Sequence, residues 1–326
     1  MNSLYPLKFK PIFLEKIWGG QKIKSTLNMD FGNLPNCGEA WVMSGVEGNP
    51  TIVSNGFLEG NELNELVEIY MGELVGDAVF DKFGNEFPLL IKFIDSNDWL
   101  SIQVHPDDEL AQKRNIGQGK SEMWYILDAD KDAELITGFN RKTNQEEYLE
   151  HLGKKSVKEI LNVEKVSKGD VFHIPAGRVH ALGPGCLLAE IQQTSDTTYR
   201  IYDWDRFDVS GLQRELHTEE ALEAIDFEYH KEYRTKYTST ENKTNTVIKS
   251  PYFNTSVINM NKAVVKNYSE LDSFVIYIAT EGEVIIKWED GNINLKKGET
   301  ILIPATFNNL AINPIVESTL LEVYVV

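Results

Sequence analysis

Residues 168–182 read KGDVFHIPAGRVHAL, and residues 297–311 read KGETILIPATFNNLA. The two stretches share five identities at a constant offset. The shared residues are Lys168, Gly169, Ile174, Pro175 and Ala176 in the first copy and Lys297, Gly298, Ile303, Pro304 and Ala305 in the second. Five identities around one Ile-Pro-Ala core favour a duplicated module over a chance match of a common strand–turn pattern. The repeat therefore predicts two related β-barrels, one in each half of the chain.

The sequence around both copies has the composition of β-structure. Runs rich in Val, Ile and aromatic residues are bounded by Gly and Pro, as in barrels and sandwiches. The predicted strands include residues 87–95, 122–129, 170–176 and 186–193, and residues 273–295 resemble a hairpin with an Asp-Gly turn. Helical periodicity covers residues 61–83, 144–161 and 217–225. Because these helices do not alternate strictly with strands, we predict a mainly β fold with inserted helices.

A change of composition separates the two predicted modules. Residues 231–250 are polar and rich in Thr, which is typical of a linker. We therefore predict a first domain over residues 1–240, with the helical insertions, and a second over residues 241–326. The second copy of the repeat has Asn309 where the first has His180, so a site that uses this histidine is predicted only in the first domain.

The bulk composition limits the partners of this chain. The 326 residues carry a formal net charge of −18, which opposes general binding to nucleic acid or to an anionic membrane. Two cysteines are too few for a disulfide framework and fit a reducing compartment. We recognise no signal peptide or membrane span and predict a cytoplasmic monomer or homodimer.

Four residues suggest a metal site in the first domain. In the stretch SIQVHPDD, Gln103 and His105 lie two apart at the end of an alternating run and share a face of a predicted strand. The same alternation predicts Leu100, Ile102 and Val104 on the other face. Glu122 begins the predicted strand over residues 122–129, and His180 follows the predicted strand over residues 170–176. Two imidazoles, a carboxylate and an amide oxygen suit Zn²⁺ or a similar divalent ion. His173 alternates with its strand neighbours as a possible fifth ligand, but a hydrogen-bonded histidine in the barrel is the preferred interpretation.

Six motifs occur in an order that resembles one known family. They are WGG (18–20), GEAW (38–41), QVHPDDELA (103–111), GKSEMWYIL (119–127), IPAGRVHAL (174–182) and EIQQTSDTTYRIYDWDR (190–206). Together they resemble the type I mannose-6-phosphate isomerases of the bacterial branch, within the cupin superfamily. The resemblance implies two cupin-like jelly-roll β-barrels, a catalytic one over residues 1–240 and a degenerate one over residues 241–326.

The resemblance also implies an activity and its residues. Family members interconvert mannose 6-phosphate and fructose 6-phosphate with one Zn²⁺ per chain. The four family zinc ligands match Gln103, His105, Glu122 and His180 in this sequence, a list that the spacing alone does not establish. Two catalytic cations of the family match Lys120 and Arg200. One departure is Ser121, where many relatives have proline.

The implied reaction moves a proton between two carbons of the sugar through an enediol. The developing oxyanion requires stabilisation, which a bound Zn²⁺ would supply as a Lewis acid. Arg200 and Lys120 would neutralise the enediolate, the phosphate or both. Glu190 is a possible base or positioning carboxylate.

Two alternatives stay open at the level of sequence. His105, Glu122 and His180 alone form a two-His-one-carboxylate triad, the arrangement of non-haem iron oxygenases, although Gln103 as a fourth ligand argues against open positions for O₂. A non-catalytic barrel that binds a sugar phosphate is the other alternative. It would bind the sugar phosphate without turnover.

Overall fold

A computed structural model describes residues 3–207 and 211–325 of the chain. Within these ranges the strands of the N-terminal part are β1 (Phe9–Lys10), β2 (Ile12–Leu14), β3 (Glu39–Met43), β4 (Ile52–Val53), β5 (Leu89–Ser96), β6 (Ile102–Val104), β7 (Glu122–Ala129), β8 (Glu134–Phe139), β9 (Leu161–Lys165), β10 (Val171–Ile174), β11 (His180–Leu182), β12 (Cys186–Gln193) and β13 (Tyr199–Tyr202). The strands of the C-terminal part are β14 (Asn245–Lys249), β15 (Asn254–Met260), β16 (Val264–Asn267), β17 (Val275–Glu281), β18 (Glu283–Trp288), β19 (Gly291–Lys296), β20 (Thr300–Ile303), β21 (Asn309–Pro314) and β22 (Ser318–Tyr324).

The helices lie between these strands, mostly in the N-terminal part. They are α1 (Lys22–Ser25), α2 (Leu63–Tyr70), α3 (Gly72–Val75), α4 (Asp77–Phe83), α5 (Asp108–Arg114), α6 (Gln145–Gly153) and α7 (Thr218–Ala224). Two short 3-10 helices cover Gly56–Leu58 and Val157–Ile160. Each helix of the described ranges is too short or too polar to cross a lipid bilayer. The predicted fold class, mainly β with inserted helices, is confirmed.

Two pairs of antiparallel sheets form the body of the molecule. The N-terminal pair has a six-stranded sheet in the order β10-β7-β12-β5-β3-β2 and a five-stranded sheet in the order β13-β6-β11-β8-β9. The C-terminal pair has the orders β14-β15-β22-β17-β20 and β16-β21-β18-β19. Apolar residues from both sheets of each pair share one buried cluster, so the sheets of a pair pack face to face.

The two copies of the sequence repeat occupy equivalent places in the two sheet pairs. Ile174 lies opposite Glu122 at the edge of the first pair, and Ile303 lies opposite Val275 at the edge of the second. In both copies the glycine of the Lys-Gly turn has a positive φ, +89° in the first and +84° in the second. The repeat therefore corresponds to a repeated strand arrangement.

Strand alternation decides which residues reach the site. On β5, β7 and β12 every second residue enters a large apolar core that is shared with the C-terminal sheet and with α2 to α4; Ile91, Tyr125 and Ile191 are examples. The residues between them face the interior of the N-terminal pair. The second face of the five-stranded sheet is covered by α6 and α7. The candidate site therefore lies between two sheets whose outer faces are both covered.

The predicted helix over residues 61–83 is broken into three by Met71, with φ +47°, and Gly76, with φ +96°. The break at Gly76 anchors α4 to the C-terminal part, because the Asp272 carboxylate accepts hydrogen bonds of 2.8 Å from the backbone N–H groups of Asp77 and Ala78. The helical periodicity of residues 61–83 cannot predict this contact between α4 and the C-terminal part.

The other predicted segments agree in part. The helix predicted over residues 217–225 is α7, whereas the one over residues 144–161 ends as an α-helix at Gly153. Strands β18 and β19 form the expected hairpin around Asp290 and Gly291, but β17 belongs to the other sheet of the pair. The prediction of a linker over residues 231–250 is wrong for its last third, because this part forms β14. The domain boundary at residues 240/241 stays a prediction.

We expect Gly76→Ala to lower the free energy of unfolding by about 1–3 kcal/mol more than Gly60→Ala does. Both glycines have φ +96°, a value that an alanine rarely adopts, so both variants strain the backbone. A Cβ at Gly76 would lie 2.5 Å from the Asp272 carbonyl oxygen, whereas a Cβ at Gly60 would meet nothing within 4 Å. Urea denaturation of both variants measures the difference. Equal losses would show that the contact between α4 and the C-terminal part is not tight.

Candidate metal centre and substrate cavity

Three ionisable side chains converge between the two N-terminal sheets. His105 follows β6, Glu122 begins β7, and His180 begins β11. Nε2 of His105 lies 3.5 Å from one carboxylate oxygen of Glu122, and Nε2 of His180 lies 3.4 Å from the other. Their ligand atoms all lie within 4.8 Å of one another, and the three residues are at most 1% exposed. This group could hold a metal ion.

Backbone carbonyls orient both imidazoles for that role. Nδ1 of His105 lies 2.9 Å from the carbonyl oxygen of Thr197, and Nδ1 of His180 lies 2.8 Å from that of Arg178. A carbonyl can only accept, so Nδ1 carries the proton and Nε2 presents its lone pair to the cluster. Burial lowers the pKa of His105 well below its ordinary value and lowers the pKa of His180 to about 4. Both rings are therefore neutral at pH 7, as metal ligands must be.

The Glu122 carboxylate supplies the sharpest indication of a cation. Both of its oxygens are buried and accept no hydrogen bond of normal geometry, although the Lys120 ammonium lies 3.2 Å from one of them. Burial and the nearby Glu190 raise the pKa of Glu122, while Lys120 and Lys92 oppose that rise. Buried polar atoms are normally hydrogen-bonded, since leaving them unsatisfied costs stability. A divalent ion between this carboxylate and the two Nε2 atoms would satisfy both oxygens, so the donor set fits a metal.

Gln103 lies beside this group, next to His180 in the register of β6 and β11. Its Nε2 is 3.2 Å from Nε2 of His180, and its Oε1 accepts a hydrogen bond of 3.3 Å from the Ser101 hydroxyl. The nitrogen of the amide therefore faces the cluster here, and a half-turn of the amide would exchange it for the oxygen. The predicted role of Gln103 as a ligand stays a prediction.

Lys120 touches two members of the cluster. Its ammonium lies 3.0 Å from Nε2 of His105 and 3.2 Å from a Glu122 oxygen, and the residue is 4% exposed. The backbone N–H of the next residue, Ser121, donates to the side-chain oxygen of Gln193 at 2.9 Å. A proline at this position would lack that N–H.

A cavity of about 280 Å³ opens beside the cluster, between the same two sheets. Its lining includes five cationic residues, Lys16, Lys92, Lys120, Arg200 and Arg214, and three acidic ones, Glu39, Glu190 and Asp196. The chain as a whole carries a net charge of −18. An excess of cations around a cavity in such an acidic protein fits an anionic ligand.

Arg200 and Glu190, the two remaining predicted site residues, both line this cavity. Arg200, on β13, donates from Nη1 to the carbonyl oxygen of Glu215 at 2.7 Å, and burial together with Arg214 lowers its pKa. Glu190, on β12, accepts a hydrogen bond of 2.9 Å from Trp124 Nε1. The structure thus brings all seven predicted residues to one place, while their individual roles stay predictions.

Sequence reasoning missed other charged residues of the cavity. Lys92 had a usable signal, since it is a lone lysine inside the apolar run FPLLIKFID, and lysine is rarely buried without a partner. Glu39 lies in the GEAW motif, to which no role had been given. The sequence around Arg214 contains no local pattern that would predict its place in the cavity. The Asp203 carboxylate holds its guanidinium by two hydrogen bonds, of 2.7 and 2.5 Å, and this is a tertiary contact.

Glu39 predicts a specific pH dependence of stability. Burial opposes its ionisation, but Lys92 and Lys16 lower the pKa of Glu39 from 4.5 to about 2. A lowered carboxylate pKa stabilises the fold above the unfolded-state value, and that contribution is lost as the pH falls from 4.5 towards 2. We expect Glu39→Gln to lower the free energy of unfolding by roughly 3 kcal/mol at pH 7 and by progressively less below pH 4.5. Urea denaturation across this range measures the difference, and a difference that is constant with pH would contradict the prediction.

Comparisons with known proteins agree over nearly the whole chain. The family described as phosphomannose isomerase type I, catalytic domain, matches residues 7–155, and the one described as mannose-6-phosphate isomerase, cupin domain, matches residues 242–321. Mannose-6-phosphate isomerase ManA of Bacillus subtilis (strain 168) is 38% identical over 92% of this chain and 93% of its own length. Mannose-6-phosphate isomerase of Streptococcus mutans is 32% identical over 92% and 94%.

Solved structures extend the agreement to three dimensions. Mannose 6-phosphate isomerase of Bacillus subtilis superposes with a TM-score of 0.87 at 33% identity, over 98% of this chain and 99% of that one. A putative mannosephosphate isomerase from Archaeoglobus fulgidus, at 21% identity and a TM-score of 0.79 over 99% of both chains, shares the fold. The match covers both sheet pairs, so the duplicated β-modules predicted from the repeat lie within a fold that these structures share. Since sequence identity above 30% extends over more than nine-tenths of the chain, the protein belongs to the type I phosphomannose isomerase family.

Proposed function

We propose that this protein is a metal-dependent mannose-6-phosphate isomerase, which interconverts mannose 6-phosphate and fructose 6-phosphate. The observation that carries the proposal is the Glu122 carboxylate, which is buried with its two oxygens facing the Nε2 atoms of His105 and His180, beside a cation-rich cavity. Family membership supports the same activity, since the curated relatives bear this name.

The metal is proposed to be one Zn²⁺ per chain. His105, Glu122 and His180 would hold it, with Gln103 as the fourth ligand through its amide oxygen, a nitrogen- and oxygen-rich set that suits zinc. When bound, the ion would supply Lewis-acid stabilisation of negative charge on the sugar oxygens.

The cavity residues would divide the remaining work between binding and proton transfer. Arg200 and Arg214 carry guanidinium groups suited to a phosphate, whose oxygens they can engage through paired N–H donors. Lys120, at the boundary between the cavity and the cluster, would neutralise charge near the reacting carbons.

Glu190 is our candidate for the group that moves the proton. One of its oxygens accepts a hydrogen bond from Trp124, and the other is buried and lies 3.3 Å from the Lys92 ammonium. That oxygen would remove the proton from C2 of the aldose and return it to C1 of the enediol, while a proton moves from the C2 hydroxyl to the C1 oxygen.

The domain roles follow the same division. We propose that residues 1–240 carry the reaction and that residues 241–326 cover the outer face of the catalytic sheet as a degenerate module. This second module has Asn309 and Val275 at the positions that correspond to His180 and Glu122. The proposed partner is a sugar phosphate; location in the cytoplasm and a monomeric or dimeric state stay predictions.

The test is a coupled assay for fructose 6-phosphate formed from mannose 6-phosphate, together with metal analysis of the same purified sample. We expect turnover with about one Zn²⁺ per chain, loss of turnover after chelation, and its return on addition of Zn²⁺. Turnover that survives complete removal of metal would exclude the metal-dependent mechanism.

The same experiment decides between the alternatives. A metal-loaded protein that binds mannose 6-phosphate without converting it would be a non-catalytic binding protein. A chain that contains iron and consumes O₂ would be an oxygenase. Neither alternative has a counterpart among the named relatives reported above.

A further inference from the structure

The GEAW motif, residues 38–41, brings Glu39 to the lining of the cavity at the start of β3. This strand pairs with β5, and the register places Trp41 directly opposite Lys92. Gly38 leaves room for the preceding segment, since a Cβ there would lie 2.6 Å from the Lys16 side chain and 2.8 Å from the Trp18 ring. The motif thus brings a carboxylate, an indole and two lysines together.

Lys92 is enclosed by these groups and by the neighbouring strand. The residue is 4% exposed. Its ammonium lies 3.3 Å from Glu190, 3.8 Å from Glu39 and 5.1 Å from the ring centroid of Trp41. A cation over an indole face and between two carboxylates is stabilised from three sides.

Glu39 is itself fixed. One of its oxygens accepts a hydrogen bond of 2.8 Å from Trp41 Nε1, and the other lies 3.0 Å from the Lys16 ammonium. A carboxylate held at both oxygens has little freedom to move away from Lys92. This arrangement differs from a surface ion pair, in which both side chains remain mobile.

Charge balance keeps Lys92 in its ammonium form. Burial alone would lower its pKa, but Glu190 and Glu39 raise the pKa of Lys92 above its ordinary value. Asp196 and Glu122, which face it from the loop after β12 and from β7, act in the same direction. The buried lysine therefore remains charged, and it is part of the cavity lining.

We propose that Glu39 is a positioning residue: with Glu190 it holds the Lys92 ammonium as a fixed positive charge that stabilises the developing oxyanion of the substrate, so that Lys92 does not act as a proton acceptor. A preorganised charge is effective in a water-poor cavity because it requires no reorientation during the reaction. The inference rests on the proposed isomerase function, which is measured first on the wild-type protein.

A double-mutant cycle of Glu39→Gln and Lys92→Met tests the coupling. Glu39→Gln keeps the size of the side chain and an acceptor for Trp41 but removes the charge. We expect it to lower kcat about 10- to 100-fold, with KM changed much less, because a misplaced charge affects the transition state more than binding. In the Lys92→Met background, the same change should lower kcat less than about twofold, because its effect passes through Lys92.

The pH profile separates a fixed charge from a base. In Glu39→Gln, Lys92 loses one of its carboxylate neighbours, so the alkaline limb of kcat should move to lower pH. A purely structural role for Glu39 would leave that limb in place. If Lys92 were a proton acceptor, kcat of the variant would instead rise as the pH increases.

Two further variants keep the test decisive. Glu322→Gln is the matched control. Glu322 is a buried carboxylate on β22 of the C-terminal module, and it pairs with Lys266. Its position in the strand register corresponds to that of Glu190 in the N-terminal module. Its kcat should equal that of the wild type even if it unfolds more easily. If a member of the cycle does not fold by circular dichroism, Trp41→Phe replaces Glu39→Gln, since it removes the N–H that fixes Glu39.

The outcomes are distinguishable. If the wild-type protein shows no turnover, both the proposed function and this inference are contradicted. An active wild type in which Glu39→Gln lowers kcat equally with and without Lys92, or leaves the alkaline limb unchanged, would overturn the positioning role alone. Loss of the Glu39 effect in the Lys92→Met background, with a shifted alkaline limb, would establish it.

Discussion

Replacing His180 with asparagine is expected to lower kcat on the order of 1,000-fold or more and to reduce bound metal from about one ion per chain to nearly none. His180 presents a neutral Nε2 to the Glu122 carboxylate at 3.4 Å, and its Nδ1 is held by the carbonyl oxygen of Arg178. Asparagine is the residue at the corresponding position of the second module, Asn309. Its shorter side chain cannot reach the carboxylate from the same backbone position.

The matched control for this variant is His173→Asn. His173 is also largely buried, on β10 of the same sheet pair, but it lies on the opposite strand face from Phe172 and Ile174, which enter the interior core. Metal content by mass spectrometry of the native protein and kcat are measured for both. A His173 variant that loses metal as completely as the His180 variant would place the ion elsewhere.

Replacing Arg200 with glutamine is expected to lower kcat/KM for mannose 6-phosphate by about 100- to 1,000-fold, as for loss of one preorganised charge donor. Arg200 has no carboxylate within 4.0 Å among the residues that the structure describes, and its Nε has no hydrogen-bond partner there. Its positive charge is therefore available to a ligand in the cavity. Since Arg214 lies nearby and repels it, an anion between the two would stabilise both.

Unphosphorylated mannose shows which part of the substrate Arg200 contacts. If the guanidinium binds the phosphate, the loss should be much larger for mannose 6-phosphate than for mannose. If it stabilises the enediolate, both substrates should lose equally. The control is Arg234→Gln, a half-buried arginine that stacks on Phe172 and pairs with Glu164 and Asp170, outside the cavity lining. An Arg200 variant as active as this control would contradict either role.

Local patterns predicted part of the strands that carry the site, but not β11, which begins at His180, or β13, which carries Arg200. The alternation around Gln103 and His105 correctly placed Ile102 and Val104 on the opposite face, in the core beneath α6 and α7. It failed for Leu100, which lies with the cavity residues, because the strand begins only at Ile102. The continuous helix over residues 61–83 failed for a related reason: Asp272, almost 200 residues away, holds the start of α4.

What the sequence by itself determined is the set of groups and the order of the strands that present them. The periodicity of the residues, the turn glycines and the repeat are properties of the sequence alone, so they can be recognised without the folded structure. Only the tertiary structure decided that Lys92 lies between Glu39 and Glu190, and that Asp203 directs Arg214 towards the cavity. The contacts of Lys92 with Glu39 and Glu190 join segments that are tens of residues apart in the sequence, whereas Asp203 and Arg214 are closer together. Their energy depends on burial and distance, and neither exists until the two sheets have packed together.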